Sequence, residues 1–164
     1  FLFVSGCMSV SVEKKTISPV YHQNRISLPY ILEVSAKAEP SARGWQTLLN
    51  EHAEKSAEEI LGYAIGPRVN SPQYALLNIK VAFTLEYRHL VFSGKCFLTV
   101  STKEGYIVYF GMRSGEFPMQ GYINLQRDSY NVILHTMIAS MEHMIDEIQR
   151  VPVLLQLVSP PKVK

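Results

Sequence analysis

One stretch of the chain alternates between large apolar residues and polar or small residues, and this alternation constrains the fold more than any other feature. From residue 77 to residue 88 the apolar side chains take every second position: Leu77, Ile79, Val81, Phe83, Leu85 and Tyr87. Successive side chains of a β-strand point to opposite faces of a sheet, so a period of two predicts a half-buried strand. The polar positions between them indicate that one face of the sheet meets water.

Three further strands are predicted from shorter patterns of the same kind. Residues 26–37 alternate in the same way, with Pro29 marking the start of a strand or an edge. Residues 95–102 and 106–112 predict a third and a fourth strand joined by a hairpin turn at residues 103–105. Ser93 and Gly94 predict the turn before the third strand, and residues 113–120 predict a loop.

Two helices complete the pattern. After Pro40 and Ser41 the apolar residues recur every three or four positions, and Gly62 is a candidate C-terminal stop. A second helix is expected from Asp128, as N-cap, to Arg150, shortly before Pro152. The order β-α-β-β-β-α predicts an α+β fold, in which two helices pack on one face of a four-stranded, mostly antiparallel sheet.

Composition limits the classes of function. The chain has 164 residues, 47% of them apolar and 18% charged, with a formal net charge of +2. A length of this order fits one domain. Nucleic-acid binding through a basic face would need clustered cations, so the small charge argues against it. No apolar run reaches the ~18 residues of a membrane-spanning helix.

The first residues contain a motif that resembles the lipobox of bacterial lipoproteins. Val4-Ser5-Gly6-Cys7 places an aliphatic residue and two small residues before a cysteine. The resemblance implies that residues 1–6 are the remnant of a signal peptide, that Cys7 is lipidated, and that the acyl chains hold the protein to a membrane. Met8 after the cysteine implies the outer membrane, facing the periplasm. The alternative is that Cys7 is a buried cysteine of a short strand.

The segments on either side of the central domain are predicted to be irregular. Residues 7–25 are polar and lack a sustained period, so we expect a tether between the lipid and a domain at 26–152. Residues 153–164 end in a Pro-rich basic stretch and predict a flexible tail.

No pattern of residues indicates catalysis, and neither a metal nor a cofactor is expected. His135, Glu142 and Asp146 share one flank of the second predicted helix, but their spacing is equally that of a polar helix border. Cys96 lies in mid-strand without a nucleophile motif, so a core cysteine is expected. No phosphate-binding loop or dinucleotide fingerprint is present.

The aromatic residues near the fourth strand are dense enough to suggest an interaction surface, the alternative being ordinary core. The residues proposed for it are Tyr106, Tyr109, Phe117, Met119 and Tyr122.

The domain pattern also resembles small periplasmic α/β lipoproteins, such as the auxiliary lipoproteins of ABC-type transport and the lipopolysaccharide-assembly lipoprotein. The resemblance rests on the helix start at residues 44–49 (GWQTLL) and the strand entry at residues 74–77 (YALL). It implies a non-enzymatic envelope lipoprotein that supports a transport or outer-membrane assembly complex. A small lipid- or ligand-binding periplasmic domain is the alternative, and an enzyme using His135 is a third hypothesis.

Overall fold

The computed structural model describes residues 11–13 and 26–158, and it confirms the α+β fold. The strands are β1 (Tyr30–Ala38), β2 (Leu77–Arg88), β3 (Val91–Thr102) and β4 (Ile107–Pro118). They form one sheet in the order β1-β2-β3-β4, in which β1 and β2 are parallel and the other neighbours are antiparallel. The lipobox and most of the predicted tether lie outside the described residues.

Three helices accompany the sheet. A 3₁₀ segment (Pro40–Trp45) leads from β1 into α1 (Gln46–Ala64), which connects the two parallel strands. Helix α2 (Leu125–Ile148) follows β4, and a short helix α3 (Pro152–Val158) follows α2. Two parallel strands need such a crossover, whereas the β2-β3-β4 meander needs only short turns.

The core lies between one face of the sheet and the helices α1 and α2. The alternating residues of β2 from Leu77 to Leu85 are buried, as predicted, and so are those of β3 that face the same way. Burying this much apolar surface is the main force that holds helices and sheet together. The largest fully buried side chains include Phe83, Leu85, Phe92 and Leu98 of the sheet and Leu49, Ile60 and Leu61 of α1.

Helix α2 approaches the sheet closely because two glycines face it. Gly94 of β3 and Gly115 of β4 are register partners. A Cβ atom on Gly115 would overlap the backbone of Ala139 and Ser140 in α2. The glycines therefore remove the side chains that would otherwise hold α2 away from this edge of the sheet.

The turn between β2 and β3 is not where the sequence predicts it. His89 and Leu90, both with positive φ (51° and 63°), form the turn between β2 and β3, so Ser93 and Gly94 belong to β3. Strand β4 also continues to Pro118, where the sequence predicts a loop from Arg113. Backbone hydrogen bonds to β3 stabilise this part of β4. Because such bonds do not depend on side chains, the sequence shows no apolar periodicity there.

The helix boundaries differ from those predicted. Helix α1 continues through Gly62 to Ala64. Helix α2 begins at Leu125, because the side chain of Asn124 accepts hydrogen bonds from two backbone amides of the first turn, and Asp128 lies inside the helix. Residues 153–158, predicted to belong to a flexible tail, lie in α3, and Leu154 is buried in the core.

Within the described ranges 11–13 and 26–158, no helix is both long enough and apolar enough to cross a membrane.

Candidate interaction surface

The structure places the five residues of the predicted surface in different environments. Tyr106 and Tyr122 are 73% and 77% exposed, but they lie beyond opposite ends of β4. A strand of 12 residues spans about 40 Å. Tyr109 and Phe117 are half-buried and face α2, and Met119 is buried. The two exposed tyrosines therefore do not belong to one surface.

A different set of apolar residues is exposed on β4. Ile107 and Phe110 are 66% and 64% exposed, and Met112 is exposed as well. Phe110 pairs with Thr99, and Met112 pairs with Phe97. Because Leu98 between these partners points into the core, Phe110 and Met112 lie on the open face of the sheet, away from the helices. We call Tyr106, Ile107, Phe110 and Met112 the β4 patch.

The backbone at the outer edge of β4 has no partner strand among residues 11–13 and 26–158. In the part of the chain that the structure describes, β4 pairs only with β3. The opposite edge strand, β1, is partly covered: the N–H of Tyr30 donates to Pro67 O, and Gln46 bonds to the backbone of Ala36 and Ala38. An uncovered strand edge offers unpaired N–H and C=O groups to another strand.

The open face is polar on the strands that lie farther from β4. Lys80 of β2 forms an ion pair with Glu33 of β1, with 2.8 Å between nitrogen and oxygen. Lys37 pairs with Glu39 at the end of β1. The exposed apolar side chains of this face therefore concentrate at the β4 edge.

On its other face, β4 is fixed to α2 by one carboxylate. Tyr109 Oη and Arg113 Nη2 each donate a hydrogen bond of 2.5 Å to Glu147 of α2. Both hydrogen bonds lower the pKa of Glu147, and the bond from Tyr109 has the larger effect. Burial and then the bond to Glu147 raise the pKa of Tyr109. These two hydrogen bonds connect β4 directly to α2.

His135, Glu142 and Asp146 do not converge on a common point. The ring of His135 stacks on Phe117, with centroids 4.4 Å apart, whereas Asp146 pairs with Arg150. Over residues 11–13 and 26–158, no group of His, Cys, Asp and Glu side chains is arranged to hold a metal ion.

Residues 11–13 pack against α2, a contact that no local sequence pattern indicates. Asn131 Nδ2 donates to Val12 O at 2.9 Å, and His135 Nε2 lies 2.7 Å from Glu13 O. The N–H of Val12 donates to the carboxylate of Asp128. The Val12 side chain is buried beside an open groove of about 300 Å³ that Phe117 and Met119 also line. We call Asp128, Asn131 and His135 the α2 clip.

Cys96 is a core residue, as predicted. Its side chain is fully buried in β3 and forms no disulfide. Burial raises the pKa of its thiol to about 12. A thiol that stays protonated at neutral pH is a poor nucleophile, so Cys96 serves packing.

Comparisons with known proteins give a fold likeness only. No family model and no curated protein matches this sequence. The fold is similar to the crystal structure of protein XCC0632 from Xanthomonas campestris, family-model DUF330, with a TM-score of 0.50 and 8% identity. That alignment covers 86% of this chain and 98% of the other.

A weaker likeness is to a PelC dodecamer from Paraburkholderia phytofirmans. It has a TM-score of 0.38 and 10% identity, and it covers 81% of this chain and 92% of the other. At these identities the first comparison concerns the architecture of the domain, and the second is too weak to add to it.

Proposed function

We propose that this protein is a non-enzymatic lipoprotein of the bacterial cell envelope, anchored through Cys7 and facing the periplasm from the outer membrane. Its domain binds another envelope protein and acts as an accessory subunit of a transport or outer-membrane assembly system. Two features support the proposal: the lipobox resemblance at residues 4–7 and the exposed β4 edge.

The observation that carries the docking role is the coincidence of a free strand edge with an apolar patch. Exposed apolar side chains are ordinary on a protein surface when they are scattered, but a contiguous group marks an interaction site. Ile107, Phe110 and Met112 lie along a single strand whose outer edge pairs with no other strand of the described residues. An extended segment of a partner can add to such an edge as a fifth strand.

The two parts of this surface have separate roles in recognition. Backbone hydrogen bonds along β4 supply affinity that is independent of the partner's sequence, while pockets for alternate side chains supply specificity. Phe110 and Met112 give the open face apolar contact area, so we expect a partner strand with apolar residues on that face. Because β4 is already bonded to Glu147, it loses less conformational entropy when a partner binds.

A non-enzymatic role agrees with the state of the candidate reactive groups. The thiol of Cys96 is buried, and the His135 ring is engaged by Phe117 and by the backbone of Glu13. The alternative of a ligand groove between helices and sheet is less favoured, because side chains such as Phe83, Leu98 and Met137 fill that space.

Site-specific photocrosslinking in intact cells tests the docking role. A photoreactive amino acid replaces Phe110 in the β4 patch or, as a control, Ser35 on the exposed face of β1. We expect the probe at position 110 to capture one distinct envelope protein and the probe at position 35 to capture none. Equal capture from both positions, or capture from position 110 of only a second copy of this chain, would contradict the proposal.

A further inference from the structure

The α2 clip defines the direction in which the N-terminal segment runs. Its three side chains lie three and four residues apart, on one face of α2. Asp128 binds the N–H of Val12, Asn131 binds the carbonyl of Val12, and His135 binds the carbonyl of Glu13. The segment therefore runs parallel to α2, and the chain enters the clip from the side of the helix N-terminus.

This contact limits how far the domain can lie from a lipid on Cys7. Val12 is the fifth residue after Cys7. Five extended residues span at most about 18 Å. The predicted tether of residues 7–25 therefore gives the domain much less reach than its length implies, because the chain is bound to α2 at its sixth residue.

The end of the molecule where the chain enters the clip exposes apolar side chains. Tyr122 and Leu125 lie just before and at the start of α2, and both are exposed. Leu90 is exposed in the β2-β3 turn, and its carbonyl accepts a 2.7 Å hydrogen bond from the N–H of Met119, which lines the clip groove. We call Leu90, Tyr122 and Leu125 the entry patch.

We propose that the entry patch rests on the bilayer surface and that the α2 clip fixes this orientation. The inference depends on the lipid anchor of the proposed function, because that anchor brings the membrane within about 18 Å of Val12. An exposed tyrosine beside leucines suits the boundary between headgroups and acyl chains, where an amphipathic ring has one apolar and one wet end. Arg43 and Arg88 are exposed near the same end of the sheet, where lipid phosphates would lie.

The orientation separates the two surfaces of the molecule. Tyr106 and Ile107 of the β4 patch lie near the start of β4, whereas the entry patch lies beside its end. The length of β4 places these ends about 40 Å apart. With the entry patch on the bilayer, the start of β4 projects into the periplasm, where a partner strand can reach it.

Depth-dependent fluorescence quenching tests the orientation. The lipidated full chain is reconstituted into vesicles of phosphatidylethanolamine and phosphatidylglycerol that contain a spin-labelled quencher lipid. One introduced cysteine carries the fluorophore, at Leu125→Cys in the entry patch or at Glu104→Cys in the exposed β3-β4 turn. Cys96 is buried and stays unlabelled. We expect at least threefold stronger quenching at position 125 than at position 104, and equal quenching would overturn the inference.

Releasing the clip should abolish this difference. Asn131→Ala combined with His135→Ala removes two of the three clip contacts, so quenching at positions 125 and 104 should become similar. His143→Ala, on the exposed side of the same helix, is the matched control and should preserve the difference. A clip variant that folds by circular dichroism and keeps the full difference would overturn the role of the clip.

A flotation experiment separates the two hypotheses, that Cys7 carries a lipid anchor and that the entry patch rests on the bilayer. Vesicle flotation of Cys7→Ser reports the anchor alone, since that variant should stay off the vesicles. If Cys7→Ser floats like the wild type, the lipid anchor of the proposed function fails. If only the wild type floats but the two probes are quenched equally, the anchor stands and the orientation fails.

Discussion

Glu147 connects β4 to α2 through two donors, and its depressed pKa makes the connection sensitive to acid. Hydrogen bonds to charged groups contribute more than neutral ones, but Glu147 and Arg113 are partly exposed, so solvent weakens the pair. The carboxylate is more stable in the folded than in the unfolded protein. Its contribution is therefore present above the unfolded pKa of about 4.3 and is lost as the pH falls through the lower folded pKa.

Glu147→Gln should lower the free energy of unfolding by about 1 kcal/mol at pH 7 and by much less at pH 3. The loss at pH 7 reflects the missing charge, which the protonated wild type also lacks at low pH. Urea unfolding followed by circular dichroism at both pH values measures it. Glu142→Gln on the same helix is the control, and an equal loss by Glu147→Gln at both pH values would contradict the account.

Cys96 should be unreactive in the folded protein. A thiol with a pKa of about 12 is almost wholly protonated at pH 8, and its sulfur is buried. Iodoacetamide at pH 8 should leave Cys96 unmodified in the native protein and modify it in urea, as intact and peptide mass spectrometry would show. Rapid modification of Cys96 in the native protein would mean that β3 opens or that the site is accessible.

Gly115 allows α2 to pack directly on β4, so the packing of this element depends on the absence of a side chain. Gly115→Ala should destabilise the fold by about 3 kcal/mol, because the added methyl group overlaps backbone atoms that cannot turn away. Gly44→Ala is the control, since nothing lies within 4 Å of a Cβ at that position. Urea unfolding measures both variants, and equal stability of the two would refute the close approach.

The β4 edge should be dispensable for folding and needed for docking. Phe110→Lys or Met112→Lys places a charge on an exposed edge position, which natural edge strands use to prevent pairing. The free energy of unfolding should change by no more than about 0.5 kcal/mol, because both side chains are exposed. Co-purification of the envelope partner should be lost.

Ser35→Lys, at the opposite edge of the same open face, tests whether any added charge has this effect. It should leave the partner bound. Loss of the partner in Ser35→Lys, or its retention in both β4 variants, would count against the β4 patch as the docking surface.

Periodicity revealed the elements whose side chains enter the core. The alternation of β2 and the apolar stripes of α1 and α2 predict burial directly, because burial imposes the period. The β2-β3 turn was missed because His89 and Leu90 take positive φ without glycine or asparagine, the usual signals of a tight turn. The second half of β4 was missed because backbone pairing leaves no side-chain pattern at an edge.

The sequence did not reveal which of the aromatic residues near β4 are exposed. The sequence shows that aromatic residues concentrate around β4, yet it assigned Phe117 and Met119 to the surface. Phe117 instead stacks on His135, and Met119 is buried beside Val12. Val12 lines the same groove and is bound by Asn131, more than 100 residues away in the chain, and no local pattern encodes such a contact.

The whole molecule has two ends with separate roles in this account: a clipped N-terminal segment with the entry patch at one end, and the start of the β4 patch at the other. In this proposal, the lipid on Cys7 attaches the protein to the membrane. The small net charge of +2 fits a protein that acyl chains, rather than basic residues, hold to its membrane.

Lipid labelling shows whether Cys7 carries the membrane anchor. The protein is expressed in its own host from its complete gene, in the presence of an alkyne fatty acid, as the wild type and as Cys7→Ser. The account predicts that the wild type carries the label and that the N-terminal peptide of its mature form begins at a diacylglyceryl-modified Cys7, whereas Cys7→Ser is unlabelled. Labelling that survives in Cys7→Ser, or an unmodified Cys7 in the membrane-bound wild type, would contradict it.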